Sequence, residues 1–345
     1  MSMRATFICG GTFVPASRFR VHPIEAGLRL KGWETRIIHG YGPLDHRMPS
    51  GVARRAYRAV SRLRRAATTA LRRFRGPVMV QRLAWPWWGS PEVVLASHCS
   101  GLVFDFDDAV FLGEGGRPSS SRRRALKKVF EASRHVVAGN SWLADAVQTD
   151  VPITVLPTCI DTAAYTPGSR PHGDIPVIGW IGTGTNLPYL ERLVDDIHRL
   201  RSSGHLFEFR ICSDEEPREL ARSLQARFVR WTPQEELPFL QSLDIGLMPL
   251  PDTDWARGKC SFKIIQYMSV GCPVVASGVG FNCDVVNEDA GFLVRNDDWA
   301  EPLSTLIRSR SLRERMGAAA RHRAVHSFDT SRAIETYRRI LAGLQ

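Results

Sequence analysis

The chain has 345 residues, of which 43% are hydrophobic and 23% charged, and its formal net charge is +11. That length exceeds one ordinary core and suits two medium-sized domains, while no apolar run reaches the ~18 residues that a membrane span needs. Cysteines at positions 9, 99, 159, 212, 260, 272 and 283 show no CxxC pair, which points away from a disulfide framework or zinc site and toward reduced thiols.

The N-terminus, MSMRATFICGG, runs directly into a strand-like segment without a signal-peptide layout, so a cytoplasmic protein is expected. Strand-like runs follow at ATFICG, ETRIIHG, PVMVQR, LVFDF, HVVAGN and ITVLP. After the Pro/Gly-rich stretch YTPGSRPHGDIP the pattern restarts with PVIGWIG, FEFRIC, RFVRW, IGLMPL, CPVVAS and GFLV. Between the runs lie segments with helical spacing, such as LPYLERLVDDIHRLRSSG and EELPFLQSLD. Such alternation predicts two parallel α/β sheets covered on both faces, with ligands at the carboxyl ends of the strands. The expected domains are residues 1–168 and 169–327, with a C-terminal helix over 328–345 returning to the first. A site in the cleft between them is expected if those strand ends face each other.

Residues 51–75 hold nine arginines and no acidic residue. Val52, Ala56, Val60, Leu63, Ala67, Leu71 and Phe74 fall three or four apart, one apolar seam on a basic helix. Two readings stand side by side. The seam packs the helix into its domain with the arginines solvated, or the helix lies on an anionic membrane surface.

The loops after strands carry the chemistry. In ARGKCSFKIIQYMSVGCPVVAS, residues 256–277, a helix starts near Ser261 and stops at Gly271, with Pro273 beyond. Its N-terminal N–H groups and dipole suit a phosphate. Ser261 could cap the helix or bind a phosphate oxygen, Lys259 and Lys263 add positive charge, and Gln266 could reach ribose hydroxyls. Cys260 reads as a small buried hydrophobe. After the first strand, Gly10 and Gly11 would allow close backbone approach to a phosphate or sugar, within reach of Arg18 or Arg20; a tight turn followed by a helix is the plainer alternative. FDFDD places Asp105, Asp107 and Asp108 at a strand end, where they could hold a divalent cation, serve an electrostatic site without one, or only tie a loop down. Asp161 is read as ordering the linker, and His98 has no nucleophile arrangement around it. Trp85, Trp87 and Trp88 could line an acceptor surface, touch lipid or pack in a core.

The segment GKCSFKIIQYMSVGCPVVASGVG, preceded by DIGLMPLPDTDW, resembles the donor-binding region of glycosyltransferase family 4. PASRFRV, FDFDDAVF, VVAGNSWLADAV, VLPTCIDTAAYTP, IGWIGTGTNLPYL and AGFLV support the resemblance in order along nearly the whole chain. It implies a GT-B fold of two doubly wound Rossmann-like domains and a retaining enzyme that uses a nucleoside-diphosphate sugar. The two family glutamates of this region align with Gly258 and Gln266, so this sequence resembles a branch with a GKCxFK pattern. The resemblance makes Gln266 the ribose contact and the backbone of Ser261 and Phe262 the diphosphate contact. Lys259 or Lys263 then stabilises the leaving phosphate, without a metal. Gly182 and Thr183, in GTGTN, could sit beside the diphosphate; they form no GxGxxG fingerprint, which weakens a dehydrogenase reading. Trp231 is a candidate neighbour of the base. In the family, the loop after the first-domain FDF strand often presents a histidine near the reacting sugar. Asp107 falls at that place, so the acidic triplet is read as an acceptor-side wall, in which Asp105 could pair with an arginine and Asp108 could cap the next turn.

The expected function is transfer of a sugar to an unidentified acceptor: a glycan, a lipid-linked intermediate, a small-molecule natural product or nucleic acid. The protein would be cytoplasmic or peripheral on the inner membrane face. The alternatives are a nucleotide-sugar epimerase of the same fold, a glycosyltransferase acting on nucleic acid, and a non-catalytic binding protein.

Overall fold

The computed structural model describes residues 2–41, 48, 52–82, 90–147, 149–168 and 175–345. Trp85, Trp87 and Trp88, and residues 169–174 of the Pro/Gly-rich stretch, lie outside them. The chain divides into two compact units. The first comprises residues 1–159, Gly258–Cys260 and Thr330–Gln345; the second comprises Ile160–Arg257 and Ser261–Asp329.

The first unit holds β1 (Arg4–Gly11), β2 (Glu34–Tyr41), β3 (Val78–Gln81), β4 (Leu102–Phe106), β5 (His135–Ala138) and β6 (Ile153–Val155). They form one sheet in the order β2-β1-β3-β4-β5-β6, with every described pairing parallel. Helices α1 (Pro15–Arg20), α2 (His22–Leu30) and α3 (Val52–Leu71) follow the first two strands. One face of the sheet buries Phe7, Cys9, Met79, Val103 and Val137 against Ile24 and Leu28 of α2 and Tyr337 and Leu341 of the helix Thr330–Ala342. Alternate strand residues thus share a face, as the period of two requires. The close approach of the two helices shows at Gly27, where a Cβ would lie 2.3 Å from Ile334.

The second unit holds β7 (Val177–Ile181), β8 (Glu208–Ser213), β9 (Ala226–Arg230), β10 (Ile245–Met248), β11 (Val274–Ser277) and β12 (Gly291–Val294), ordered β12-β11-β10-β7-β8-β9 and again parallel. Both faces are covered. Val177 and Ile181 join one core cluster and Ile178 and Trp180 the other. The twelve strands coincide with the runs read from the sequence, and the fold is two doubly wound α/β units. One helical reading changes: Gly184–Leu193, with Pro188 inside, is a 3-10 helix that becomes α-helical only at Val194–Ser202.

Each sheet has one point where its strand order reverses. In the first unit it lies between β1 and β3, in the second between β7 and β10. There the loops at the carboxyl ends run in opposite directions and leave a crevice.

Helix α3 corrects the packed-seam reading. Val52, Val60, Leu63 and Leu71 are 82%, 66%, 58% and 82% exposed, whereas Arg65 and Thr69 are buried. The helix packs on β2 and on the helix Ser90–Ala96 through the face that carries Arg65. The Arg65 guanidinium donates to the backbone carbonyls of Gln81 (3.3 Å) and Arg82 (3.0 Å). Those carbonyls end β3, and five donors in a rigid fork satisfy them better than an aliphatic side chain could. The helix therefore turns its polar anchor inward and its apolar seam outward.

Candidate active site

In the second unit the crevice is built around one tyrosine. β7 and β10 pair only through Ile178–Ile245 and Gly179–Gly246, then part. Tyr267, fully buried in the helix Phe262–Ser269, fills the gap. Its hydroxyl accepts from the Ile181 N–H at 3.0 Å and donates to the Leu247 carbonyl at 3.2 Å. Two backbone groups that the diverging strands leave unpaired are thus satisfied. Gly246 makes room, since a Cβ there would lie 2.4 Å from the Tyr267 ring. Burial pushes the phenol pKa far up, so the hydroxyl keeps its proton.

That wedge fixes Lys263, one helical turn earlier on the same face. Its Nζ lies 5.5 Å from the Trp180 ring centroid. A Cβ at Gly182 would come within 2.5 Å of the Trp180 ring and 2.7 Å of the Lys263 Cε. Gly182, Trp180 and Lys263 therefore form one contact at the carboxyl end of β7, and only glycine fits it. Thr183 is exposed next to it, its hydroxyl accepting from Asn186 Nδ2 at 2.8 Å.

The loop into the helix differs from expectation. Ser261 is left-handed (φ 50°), and its side chain does not cap the helix. Instead its hydroxyl donates to Asn282 Oδ1 at 2.7 Å, and Asn282 Nδ2 holds the Ser277 carbonyl at 3.0 Å. With that serine committed sideways, the helix begins at Phe262 and Lys263 without a side-chain cap from Ser261. Gly271 (φ 73°) ends the helix, its N–H donating to Met268. Gln266 is buried in the same helix. Trp231, half-buried at the end of β9, donates its indole N–H to Glu236 Oε2 at 2.9 Å.

In the first unit the carboxyl ends of β1, β3 and β4 gather the acidic triplet. Asp105 is fully buried and taken up by Arg20, whose Nε reaches Oδ1 (3.0 Å) and whose Nη2 reaches Oδ2 (2.6 Å), with the Tyr337 hydroxyl also donating to Oδ2. Arg20 Nη1 is held by the Leu156 carbonyl at 2.9 Å. Arg20 and Asp105, read from sequence as acceptor-side residues, are given to each other as a structural pair. Arg18 is half-buried with its guanidinium carbon 4.7 Å from the Phe19 ring centroid. Gly10 and Gly11 end β1 without the left-handed backbone, and a Cβ at Gly10 would make only ordinary contacts, 3.5 Å at the nearest.

Asp107 and Asp108 converge on Arg82, a residue the sequence reading passed over. Arg82 Nε donates to Asp107 Oδ1 at 2.8 Å, and Nη2 reaches Asp108 Oδ2 at 2.5 Å. Gln81 Nε2 adds a bond to Asp107 Oδ1 at 3.0 Å. Arg82 is left-handed (φ 60°), which turns the chain sharply after β3; its place directly after a strand was the signal available in the sequence. Asp108 is thus an ion-pair partner, not the side-chain cap of the next turn. Burial raises the Asp107 pKa, but Arg82 and Arg20 outweigh it and hold the carboxyl below its ordinary 3.8. A negative charge already balanced by arginine has little pull left for a divalent cation.

Gly258, Lys259 and Cys260 pack with this unit. A Cβ at Gly258 would lie 2.7 Å from Ala109 Cβ, and the Lys259 carbonyl accepts from Asn140 Nδ2 at 3.0 Å. The Cys260 thiol donates to the Asp107 carbonyl at 3.1 Å. Burial and the Asp107 charge push its pKa well up, so it stays a buried thiol. Asp161 orders its own turn, accepting from the N–H groups of Ala163 and Ala164 at 3.0 and 3.1 Å.

Residues 175–309 match the family model of glycosyl transferases group 1. No curated protein matches the chain. Among solved structures, sucrose-phosphate synthase from Thermosynechococcus elongatus has a TM-score of 0.73 at 14% identity, with 99% of this chain and 100% of that chain covered. A glycosyltransferase from Rickettsia africae ESF-5 has a TM-score of 0.73 at 14% identity, with 100% and 99% covered. Anabaena HepE in complex with UDP and glucose has a TM-score of 0.70 at 14% identity, with 99% and 100% covered. The full-length match establishes the GT-B fold. With the group 1 domain over 175–309, the protein is a transferase, a glycosyltransferase of GT-B architecture.

Proposed function

We propose that the protein moves a sugar from a nucleoside-diphosphate sugar to an acceptor hydroxyl with retention at the anomeric carbon, in the manner of glycosyltransferase family 4. The observation that carries this reading is the contact of Gly182, Trp180 and Lys263 at the switch point of the second sheet, beside the start of the helix Phe262–Ser269. A diphosphate fits a backbone free of Cβ atoms, a lysine and a helix N-terminus. In the transfer the bond from the anomeric carbon to the phosphate oxygen breaks, a bond to the acceptor oxygen forms on the same face, and the acceptor proton passes to the leaving phosphate. Lys263 stabilises the charge that develops on that phosphate, a role that calls for no divalent cation. Complexes of Anabaena HepE with UDP and with UDP-glucose agree with this donor class.

Asp107, held ionised by Arg82, serves as an acceptor-side hydrogen-bond partner in this reading. The exposed seam of α3, flanked by arginines, rests on an anionic membrane surface, which suits a lipid-linked acceptor. Among the described residues no helix is long and apolar enough to cross a membrane, so α3 would lie on the surface.

The test is mass spectrometry of the purified protein with a panel of nucleotide sugars, scoring slow donor hydrolysis, with proton NMR of the same reactions to distinguish anomers and epimers of equal mass. One donor should release its nucleoside diphosphate and a sugar of unchanged anomeric configuration. Interconversion of the nucleotide sugar without release would make the protein an epimerase instead.

A further inference from the structure

Outside the donor and acceptor residues, Cys9 at the end of β1, His39 beside it on β2 and His22 at the start of α2 bring one ligand atom each within 4.8 Å of one another. Cys9 Sγ and His39 Nδ1 are 3.5 Å apart, and the two imidazoles stand edge to face, with centroids 5.3 Å apart. His22 Nε2 is buried without a hydrogen-bond partner, which is costly unless something else binds it. In a zinc tetrahedron the ligand atoms stand ~3.3–3.7 Å apart. The Cys9–His39 pair already does, and His22 closes the remainder by side-chain rotation.

We propose that Cys9, His22 and His39 bind a divalent d-block cation of the zinc class, with the fourth position open to water or to a ligand arriving at the carboxyl end of β1. One thiolate and two neutral imidazoles suit zinc rather than magnesium or calcium, which prefer oxygen. Binding takes the Cys9 side chain as thiolate and releases its proton to solvent. The bound cation ties β1, β2 and α2 together just before Gly10 and Gly11.

Full-length protein, stripped with chelator, is titrated with Zn²⁺ against a chromophoric competitor, and with Co²⁺ while the absorption spectrum is followed. One equivalent should bind, and Co²⁺ should give a thiolate charge-transfer band with tetrahedral ligand-field bands. Cys9→Ser should abolish the charge-transfer band. His39→Gln, at an exposed position that leaves folding intact by circular dichroism, should weaken Zn²⁺ binding by at least ~10-fold, the loss seen even for outer-shell partners. No stoichiometric binding to the wild type, or a charge-transfer band that persists in folded Cys9→Ser, would overturn the assignment.

Discussion

Arg20 grips Asp105 through two hydrogen bonds of 3.0 and 2.6 Å, with both side chains sealed from solvent. The pair joins α1 to β4, and through the Tyr337 hydroxyl it also ties in the C-terminal helix Thr330–Ala342 of the same unit. Removing one partner strands the other charge in the interior. Arg20→Ala or Asp105→Ala should cost ~3–5 kcal/mol in chemical denaturation, whereas an apolar replacement of both partners should recover much of that loss. A loss below ~1 kcal/mol for either single variant would show that the pair is solvated in solution.

Lys263→Ala should lower donor turnover by about 100- to 1000-fold, while the denaturation midpoint stays close to wild type. Gly182→Ala reaches the same contact from the other side. Its Cβ would sit 2.5 Å from the Trp180 ring, so turnover should fall and stability drop by ~1–3 kcal/mol through overpacking. Normal donor turnover in a folded Lys263→Ala variant would remove the donor site from this helix.

Asp107 titrates below its ordinary 3.8, because Arg82 and Arg20 outweigh the effect of burial. Its folded pKa is depressed, so its contribution to stability is complete above the unfolded value and is lost as pH falls through the folded one. An acidic limb in the pH–rate profile that belongs to Asp107 must therefore lie below pH 3.8. Asp107→Asn should cut transfer without moving any limb near neutral pH. If the variant erases a limb near neutrality, Asp107 titrates there and is not held by Arg82.

The seam of α3 faces outward, so polar substitution there should be structurally cheap. Val60→Ser with Leu63→Ser should shift stability by no more than ~0.5 kcal/mol per site. Co-sedimentation with phosphatidylserine vesicles should fall severalfold relative to wild type, and wild-type binding should weaken with salt. A large destabilisation would mean that the seam is packed, as the rejected alternative held.

All twelve strands were readable, because in doubly covered parallel sheets the apolar run is itself the strand, and turn residues bound it. The same held for the helix at Phe262, with its glycine stop. The partners of the charged residues were not readable. Asp105 and Asp107 are two positions apart on one strand end, yet one is consumed by Arg20 and the other by Arg82. Strand order, not spacing, decides which arginine arrives. The arginine helix misled for a related reason. Periodicity reports that a helix has two faces, but not which one meets the sheet. The open carbonyls of Gln81 and Arg82 needed donors, and Arg65 supplied them.

Composition, alternation and the restart of the pattern near residue 176 were sufficient for two parallel α/β units, because those depend on local period and chain order. Tertiary structure alone decided that Tyr267 wedges between β7 and β10 and so sets Lys263 against Gly182. It alone turned Ser261 toward Asn282, and brought Cys9, His22 and His39 within ligand distance of one another. Each of these rests on contacts between residues far apart in the chain. Their free energy comes from satisfying buried polar groups in one particular arrangement of strands, and that arrangement leaves no trace in local spacing.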